Sequence, residues 1–273
     1  VWIKKAYQLG SDPYRILFSQ AIFTLPIFVV TILLLDRSKF RIESRNFLSI
    51  IIQGTCGFFL SAFLYNLAIA KMSASLVVLI FYSYPILTLL GGWLFFKCKV
   101  DLRHWIAAAV VLGGVLLIAN PGLQGYSTPG FIFALLAAAG QAFYLLYGEK
   151  NLKYLHPLTI TLYGQVGFLI PCLLTIPYWP AGVFLDSASL EYGLVLAILS
   201  SFFGFYFVLL GQRSLSSGVA ALLTTIRLPI SLIFVYFLLR EAFSPFMLIG
   251  AALIFGGMLL SLEGSEKNSQ LSS

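Results

Sequence analysis

One arginine and two prolines carry most of the chemistry that can be read from this sequence. Arg227 lies about nine residues into the apolar stretch 219–239, roughly 12 Å from its end at the rise of an α-helix. A guanidinium that deep in hydrocarbon is costly and ordinarily faces a cavity or a partner. All ten acidic residues fall in links, at the ends of apolar stretches or in the tail, so none stands at that depth. An anionic solute group could supply the counter-charge, because a guanidinium binds a carboxylate through paired hydrogen bonds. The other reading has Arg227 bonding backbone carbonyls or extending its stem toward the membrane surface.

Pro229 follows two residues later, and Pro85 holds the matching place in an earlier stretch. A proline inside a helix deprives the carbonyl four residues back of its donor, here Thr225 and Phe81, and kinks the helix. Pro85 and Pro229 are therefore candidate hinges. Tyr82, Tyr84, Thr224 and Thr225 stand next to them, and Gln141 and Tyr144 come from another stretch. Together with Arg227 these are the candidate substrate-binding residues, since small-molecule sites are mostly apolar with a few placed polar groups. Gln53, Asn66, Tyr163, Gln165 and Tyr206 are further polar side chains in the apolar stretches. Each could equally bond between helices or anchor at the interface.

The elements that must position these residues occur twice, about 144 residues apart. Leu76–Tyr84, Pro85 and then 101–114, ending Gly113-Gly114, recur as Ala220–Leu228, Pro229 and then 244–257, ending Gly256-Gly257. Pro13, Gln20 and Pro26 have counterparts in Pro157, Gln165 and Pro171. Matched prolines in repeated membrane domains are the build of secondary transporters, with a site at the midplane.

Sixty per cent of the residues are hydrophobic and a tenth charged, which places the chain outside the range of soluble domains. Nine runs approach or reach the roughly 20 residues needed to span a bilayer: 14–35, 47–70, 75–96, 103–119, 130–147, 158–179, 191–210, 219–239 and 245–262. The expectation is an all-α, multi-pass membrane protein in which the tail, 263–273, is disordered. The net charge of +7 points to the bilayer and not to nucleic acid, because position explains it. If nine spans alternate, Arg37, Lys39, Arg41, Arg45, Lys97, Lys99, Arg103, Lys150, Lys153, Arg213 and Lys267 share one side, 11 of the 17 basic residues. The positive-inside rule makes that side, and the C-terminus, cytoplasmic. The expected location is a plasma membrane, such as a bacterial inner membrane.

Residues 129–262 contain an apolar helix before the His156-Pro157 entry, whereas only Val1 to Asp12 precede the matching Asp12-Pro13 in residues 1–119. The sequence therefore reads as lacking most of a first helix, with ten spans expected in two fives. Two five-helix units in tandem lie inverted in the membrane, giving a pseudo-two-fold axis in its plane.

The run Leu67-Ala-Ile-Ala-Lys-Met-Ser-Ala-Ser-Leu-Val, then Tyr84-Pro-Ile-Leu-Thr, a basic link and Trp105-Ile-Ala-Ala-Ala-Val-Val-Leu-Gly-Gly resembles the EamA-type members of the drug/metabolite transporter superfamily. Ser217-Gly-Val-Ala-Ala-Leu-Leu, Pro229, Arg240-Glu241 and Ile249-Gly-Ala-Ala-Leu-Ile-Phe-Gly-Gly resemble the second half of that pattern. The resemblance implies ten helices in two EamA repeats and export of small metabolites, amino acids or drugs. Two departures are visible. Many members carry Glu before the mid-helix proline, where this chain has Tyr84 and Leu228. Many also carry an Arg after the Asp-Pro-like entry, where this chain has Ser19 and Gln20.

Ala109-x-x-x-Gly113 and Ala252-x-x-x-Gly256 have the spacing that lets helices approach closely, either within each repeat or in a homodimer. Cys56, Cys98 and Cys172 lack metal-type spacing and read as free thiols. His104 and His156 sit in links, where solvated or interfacial roles are expected. No Gly-Lys-Ser/Thr phosphate loop is present, and no paired nucleophile and base suggests an enzyme. The partners implied are a small-molecule substrate and the lipid bilayer, with no cofactor. The expected mechanism is alternating access by rocking of the two repeats. An unpaired Arg227 favours carboxylate-bearing solutes over cationic drugs, which it would repel. A non-transporting receptor or assembly subunit is the remaining class.

Overall fold

The computed structural model describes residues 13–72, 74–96, 100–119, 126–176, 186–230 and 245–270. Its helices are α1 (Pro13–Leu35), α2 (Ser44–Lys71), α3 (Ala74–Phe81), α4 (Tyr84–Phe96), α5 (Leu102–Ala119), α6 (Thr128–Leu152), α7 (Pro157–Thr175), α8 (187–211), α9 (Ser217–Thr224) and α10 (Pro245–Gln270). No strand occurs among the described residues. Among the described residues six helical stretches, with 76–95 across α3 and α4 counted as one, are long and apolar enough to cross a membrane, and three apolar ones are shorter. Hydrocarbon offers no water to satisfy a backbone N–H or C=O, so a chain this apolar satisfies its backbone within helices. Both α2 and α8 widen near their middles into π-helical segments, Gln53–Phe59 and Ala197–Phe205.

Polar side chains set the helix ends. Asp36 accepts from Ser38 N at the start of a 3₁₀ turn, Arg37–Phe40, and hydrogen bonding from the Ser38 side chain and then its backbone holds the carboxyl down at about 2. His156 caps α7 by accepting from Leu158 N at 3.2 Å. Burial, reinforced by the charges of Arg213 and Lys39, pushes its imidazole below the usual range and keeps that acceptor unprotonated. Asp186 caps α8, accepting from Ser189 N at 2.7 Å, and Ser216 caps α9.

The helices form two compact units, and each unit draws on both copies of the repeat: 1–66 with 147–213, and 67–146 with 214–273. The units therefore do not coincide with the two copies, 1–119 and 129–262. In the first unit α1 packs on α8 and α2 on α7. A Cβ at Gly54 would run into the backbone of Gly164, and one at Gly167 would meet the Ile51 carbonyl at 2.6 Å, so only glycine permits that crossing. In the second unit α5 packs along α10, and α4 against α9. Leu89, Ala107, Ala108, Val111, Val115, Leu222, Ile254 and Met258 form the core there.

The α5–α10 contact carries the symmetry of the sequence. Gly114 abuts Gly250 and Ile254, while Gly257 abuts Ala107 and Val111. Gly257 is the repeat counterpart of Gly114, Gly250 of Ala107 and Ile254 of Val111, so the contact is reciprocal. Its register runs antiparallel, which puts the relating two-fold across the helices, as inverted repeats require.

The close approach does not use the small-residue pairs singled out above. A Cβ at Gly113 or Gly256 would meet nothing within 4 Å, and Ala109 and Ala252 are exposed. The helix turns about 100° per residue, so the second glycine of each pair faces the partner helix and the first faces away. Two other expectations change. His104 is buried, 5% exposed, in the first turn of α5 instead of solvated in a link. The backbone is helical through 263–270, where composition suggested an unstructured tail.

Gly114→Ala and Gly113→Ala should therefore differ in sign. Gly113→Ala gains helix propensity, up to about 1 kcal/mol, at no steric cost. Gly114→Ala places a Cβ 2.5 Å from the Gly250 carbonyl oxygen, an overpacking that costs about 1–3 kcal/mol. Thermal unfolding of the two purified variants in one detergent checks this, with the Gly113 variant melting at or above the parent and the Gly114 variant below it.

Candidate functional site

The matched prolines interrupt their helices as their chemistry demands. α3 ends at Phe81 and α4 begins at Tyr84, immediately before the buried Pro85. Across the gap Ser83 N bonds Ile80 O at 3.0 Å and Leu87 N bonds Ser83 O at 3.1 Å. α9 ends at Thr224, five residues before the buried Pro229. The chain then tightens: Thr225 N reaches Leu222 O at 3.1 Å, Ile226 N reaches Leu223 O at 3.2 Å, and Leu228 N reaches Thr225 O at 3.0 Å. The Thr225 carbonyl, which Pro229 cannot serve, thus finds its donor one residue earlier.

The two breaks are bonded to each other within the second unit. Tyr84 OH lies 2.6 Å from Thr224 Oγ1 and 3.2 Å from Ala221 O, and Thr224 Oγ1 itself donates to Ala221 O at 2.8 Å. Thr88 Oγ1 donates to Tyr84 O at 2.8 Å and so fixes the first turn of α4. Phe81, Tyr82 and Tyr84 form a mutual ring cluster, with centroids 5.5, 5.7 and 6.0 Å apart. Tyr82 and Phe81 are half-buried and Tyr84 is buried; Tyr82 packs against the α5–α10 core.

Arg227 is exposed, just past the end of α9, and its charge acts on the phenols of both Tyr84 and Tyr144. No carboxylate pairs with it among the described residues. Tyr144 is buried on α6, and the half-buried Gln141 lies one turn earlier on the same helix face. The structure therefore brings Arg227, Tyr84, Thr224 and Tyr144 into one neighbourhood, with Tyr82 in ring contact with Tyr84. Thr225 is different: it is fully buried and its hydroxyl donates to Leu222 O at 2.6 Å, which assigns it to the break itself.

The other polar candidates lie mainly in the first unit and are largely occupied. Gln53 belongs to a hydrogen-bonded chain in which Ser49 Oγ donates to Asn151 Oδ1 and Asn151 Nδ2 to Gln53 Oε1, both at 2.7 Å. Tyr163 OH donates to Phe40 O at 2.7 Å, and Asn66 Nδ2 to Ala62 O at 2.8 Å. Tyr206 stacks on Phe202. Gln165 is buried with Oε1 unpartnered among the described residues, whereas its repeat counterpart Gln20 donates to Ser201 Oγ at 2.7 Å. Sequence reasoning passed over Asn151, Ser201 and Ser83. Ser83 is the repeat counterpart of Arg227, and its buried hydroxyl has no hydrogen-bond partner among the described residues. Serines and asparagines near helix ends are too common to stand out, and only the repeat alignment marks Ser83. No cluster of metal ligands occurs among the described residues.

Comparison with known proteins gives a consistent answer. The model of the EamA-like transporter family matches residues 1–120 and 128–262. An uncharacterized transporter, YdfC of Bacillus subtilis, is 28% identical over half of this chain and 44% of its own length. The uncharacterized transporter sll1319 of Synechocystis is 23% identical over 76% of this chain and 65% of its own length. YxxF of Bacillus subtilis, also an uncharacterized transporter, is 26% identical over 76% of this chain and 68% of its own. The chain thus spans about half to two thirds of these relatives. One crystal structure superposes with a TM-score of 0.81 at 17% identity, covering 97% of this chain and 94% of that one. That likeness shows the fold.

The bond between the breaks is open to a direct test. Tyr84→Phe and Thr224→Val each remove one side of it, at about 0.5–1.5 kcal/mol. The double variant should lose less than the sum of the single losses, with a coupling of about 0.5–1 kcal/mol by thermal unfolding. Additive losses would mean that the hydroxyls do not cooperate.

Proposed function

The chain belongs to the EamA-like transporter family and is a multi-pass membrane transporter, and on that premise we propose that it exports small carboxylate-bearing metabolites, amino-acid-like solutes among them, with Arg227 as the substrate anchor. The observation that carries this reading is an exposed guanidinium with no carboxylate partner among the described residues, beside two buried phenols at a break in an apolar helix. A charge at membrane depth is ordinarily functional. A carboxylate entering from water would supply the missing negative charge and take two parallel hydrogen bonds from the planar fork.

Each of the other residues has a part in this proposal. Tyr144 and the Tyr84–Thr224 pair fix the polar wall next to the guanidinium, Tyr82 and Phe81 offer half-buried rings to the apolar part of the solute, and Gln141 adds an amide one turn from Tyr144. The breaks ahead of Pro85 and Pro229 are the flexing points of an alternating-access cycle, since short turns change their φ/ψ more readily than a continuous helix does. The same aromatic cluster supports a second reading, efflux of flat organic cations through ring stacking. The positive charge of Arg227 opposes it.

Ligand-dependent unfolding of the purified protein separates the two. A ligand that binds the folded state alone raises its stability by RT ln(1 + [L]/Kd). Carboxylates should raise the melting temperature, and Arg227→Gln should weaken them by about tenfold to a hundredfold, the worth of a charge-assisted bond of roughly 1.5–3 kcal/mol. Stabilisation by organic cations that survives Arg227→Gln would establish the second reading instead.

A further inference from the structure

The first unit concentrates basic residues at one end, and contacts within the unit show that they share that end. The 35–44 link is tied over the start of α7 by Thr159 Oγ1 donating to Lys39 O at 2.9 Å and Tyr163 OH donating to Phe40 O at 2.7 Å. Ser49 in the first turns of α2 bonds Asn151 near the end of α6 at 2.7 Å. The charges of Arg213, after α8, and of Lys39 both act on His156. Arg37, Lys39, Arg41, Arg45, Lys150, Lys153 and Arg213 are thus gathered at one end of this unit, against Asp36, Glu43 and Glu149. All of these cations except Lys39 are exposed, and Lys39 is engaged by Asp36 at 3.2 Å.

The link between α1 and α2 is the most basic part of that end, and apolar surface bounds it on both sides. Leu34 and Leu35, 80% and 69% exposed, immediately precede Asp36, and Leu48, 61% exposed, follows Arg45 by three residues. Arg37, Arg41 and Arg45 thus stand between two outward-facing leucine surfaces, within ten residues of chain. A soluble anion would use the arginines and leave the leucines idle, and a neutral lipid would do the reverse. The ligand that uses both has a net negative phosphate headgroup and acyl chains.

We propose that the α1–α2 link, through Arg37, Arg41 and Arg45 with Leu34, Leu35 and Leu48, is a binding site for anionic phospholipid. Basic residues at the membrane surface attract anionic headgroups with additive strength that falls off within a Debye length. Guanidinium groups add paired hydrogen bonds to phosphate oxygens. Tyr154, 72% exposed beside Lys153 at the same end, is an aromatic ring of the kind that sits at headgroup level. The site is independent of the substrate reading, because none of its residues lies near Arg227 in the chain and all of them fall in the other compact unit.

The test uses the full chain in a mild detergent, supplied with equal amounts of phosphatidylglycerol and phosphatidylcholine. Native mass spectrometry reads the retained lipid. The protein should retain phosphatidylglycerol preferentially. Arg37→Gln/Arg41→Gln/Arg45→Gln should reduce that preference on the order of a hundredfold, and Arg41→Gln alone roughly fivefold. Lys71→Gln, at the other end of α2, should leave it unchanged. Glycerol phosphate at the same concentration should not displace the lipid. Equal retention of the two lipids overturns the proposal. So does a phosphatidylglycerol preference that survives in the triple variant or, if that variant fails to fold, in Arg41→Gln. Displacement by glycerol phosphate also overturns it, since the arginines would then form a soluble-anion site.

Discussion

Inside hydrocarbon no backbone donor or acceptor can be left to water, yet two prolines remove a donor from the middle of two apolar helices. Much of the second unit follows from that constraint. The backbone after α9 tightens until the Thr225 carbonyl meets Leu228 N, and the threonine hydroxyls there fold back on the carbonyls of Ala221 and Leu222. Tyr84, at the other break, joins the same set of acceptors through Ala221 O and Thr224. Two interruptions that would each weaken a helix are thereby bonded into one polar centre. It is next to this centre, where the backbone has already departed from regular helix, that Arg227 emerges.

Glycine makes the packing around that centre possible. The antiparallel α5–α10 pair is reciprocal, Gly114 on Gly250 and Gly257 on Ala107, so one close approach is used twice. Without a hydrophobic drive between helices in lipid, such contacts rest on dispersion and on backbones that can come near each other. At the start of α9, a Cβ on Gly218 would strike the Leu89 side chain of α4, a contact with a flexible side chain and not with backbone. The close-packed pair and the bonded double break thus lie in the same unit as Arg227.

Much of this was legible in the residues. Apolar runs marked the helices, the duplicated pattern marked the inversion, and the matched prolines marked the breaks, because each depends on composition or spacing alone. What was not legible depends on rotation about a helix axis or on partners distant in sequence. Gly113-Gly114 does not announce which glycine faces inward, and the 100° between them reverses the answer. Thr225 looked as available as Thr224, yet one residue of rotation buries it. The buried His104 and the pairing of Gln20 with Ser201 arise only once helices pack. The division of the chain into units that each mix both copies is likewise a tertiary fact.

The central claim is that Arg227 holds the negative end of a transported solute. Tracer counterflow in proteoliposomes, with a labelled amino or organic acid that stabilises the protein, tests it most directly. The account predicts exchange by the parent protein, loss of it in Arg227→Gln, and partial recovery in Arg227→Lys, which keeps the charge but not the fork. Undiminished exchange of the carboxylate by well-folded Arg227→Gln would contradict it and leave the arginine a structural residue at the end of a broken helix.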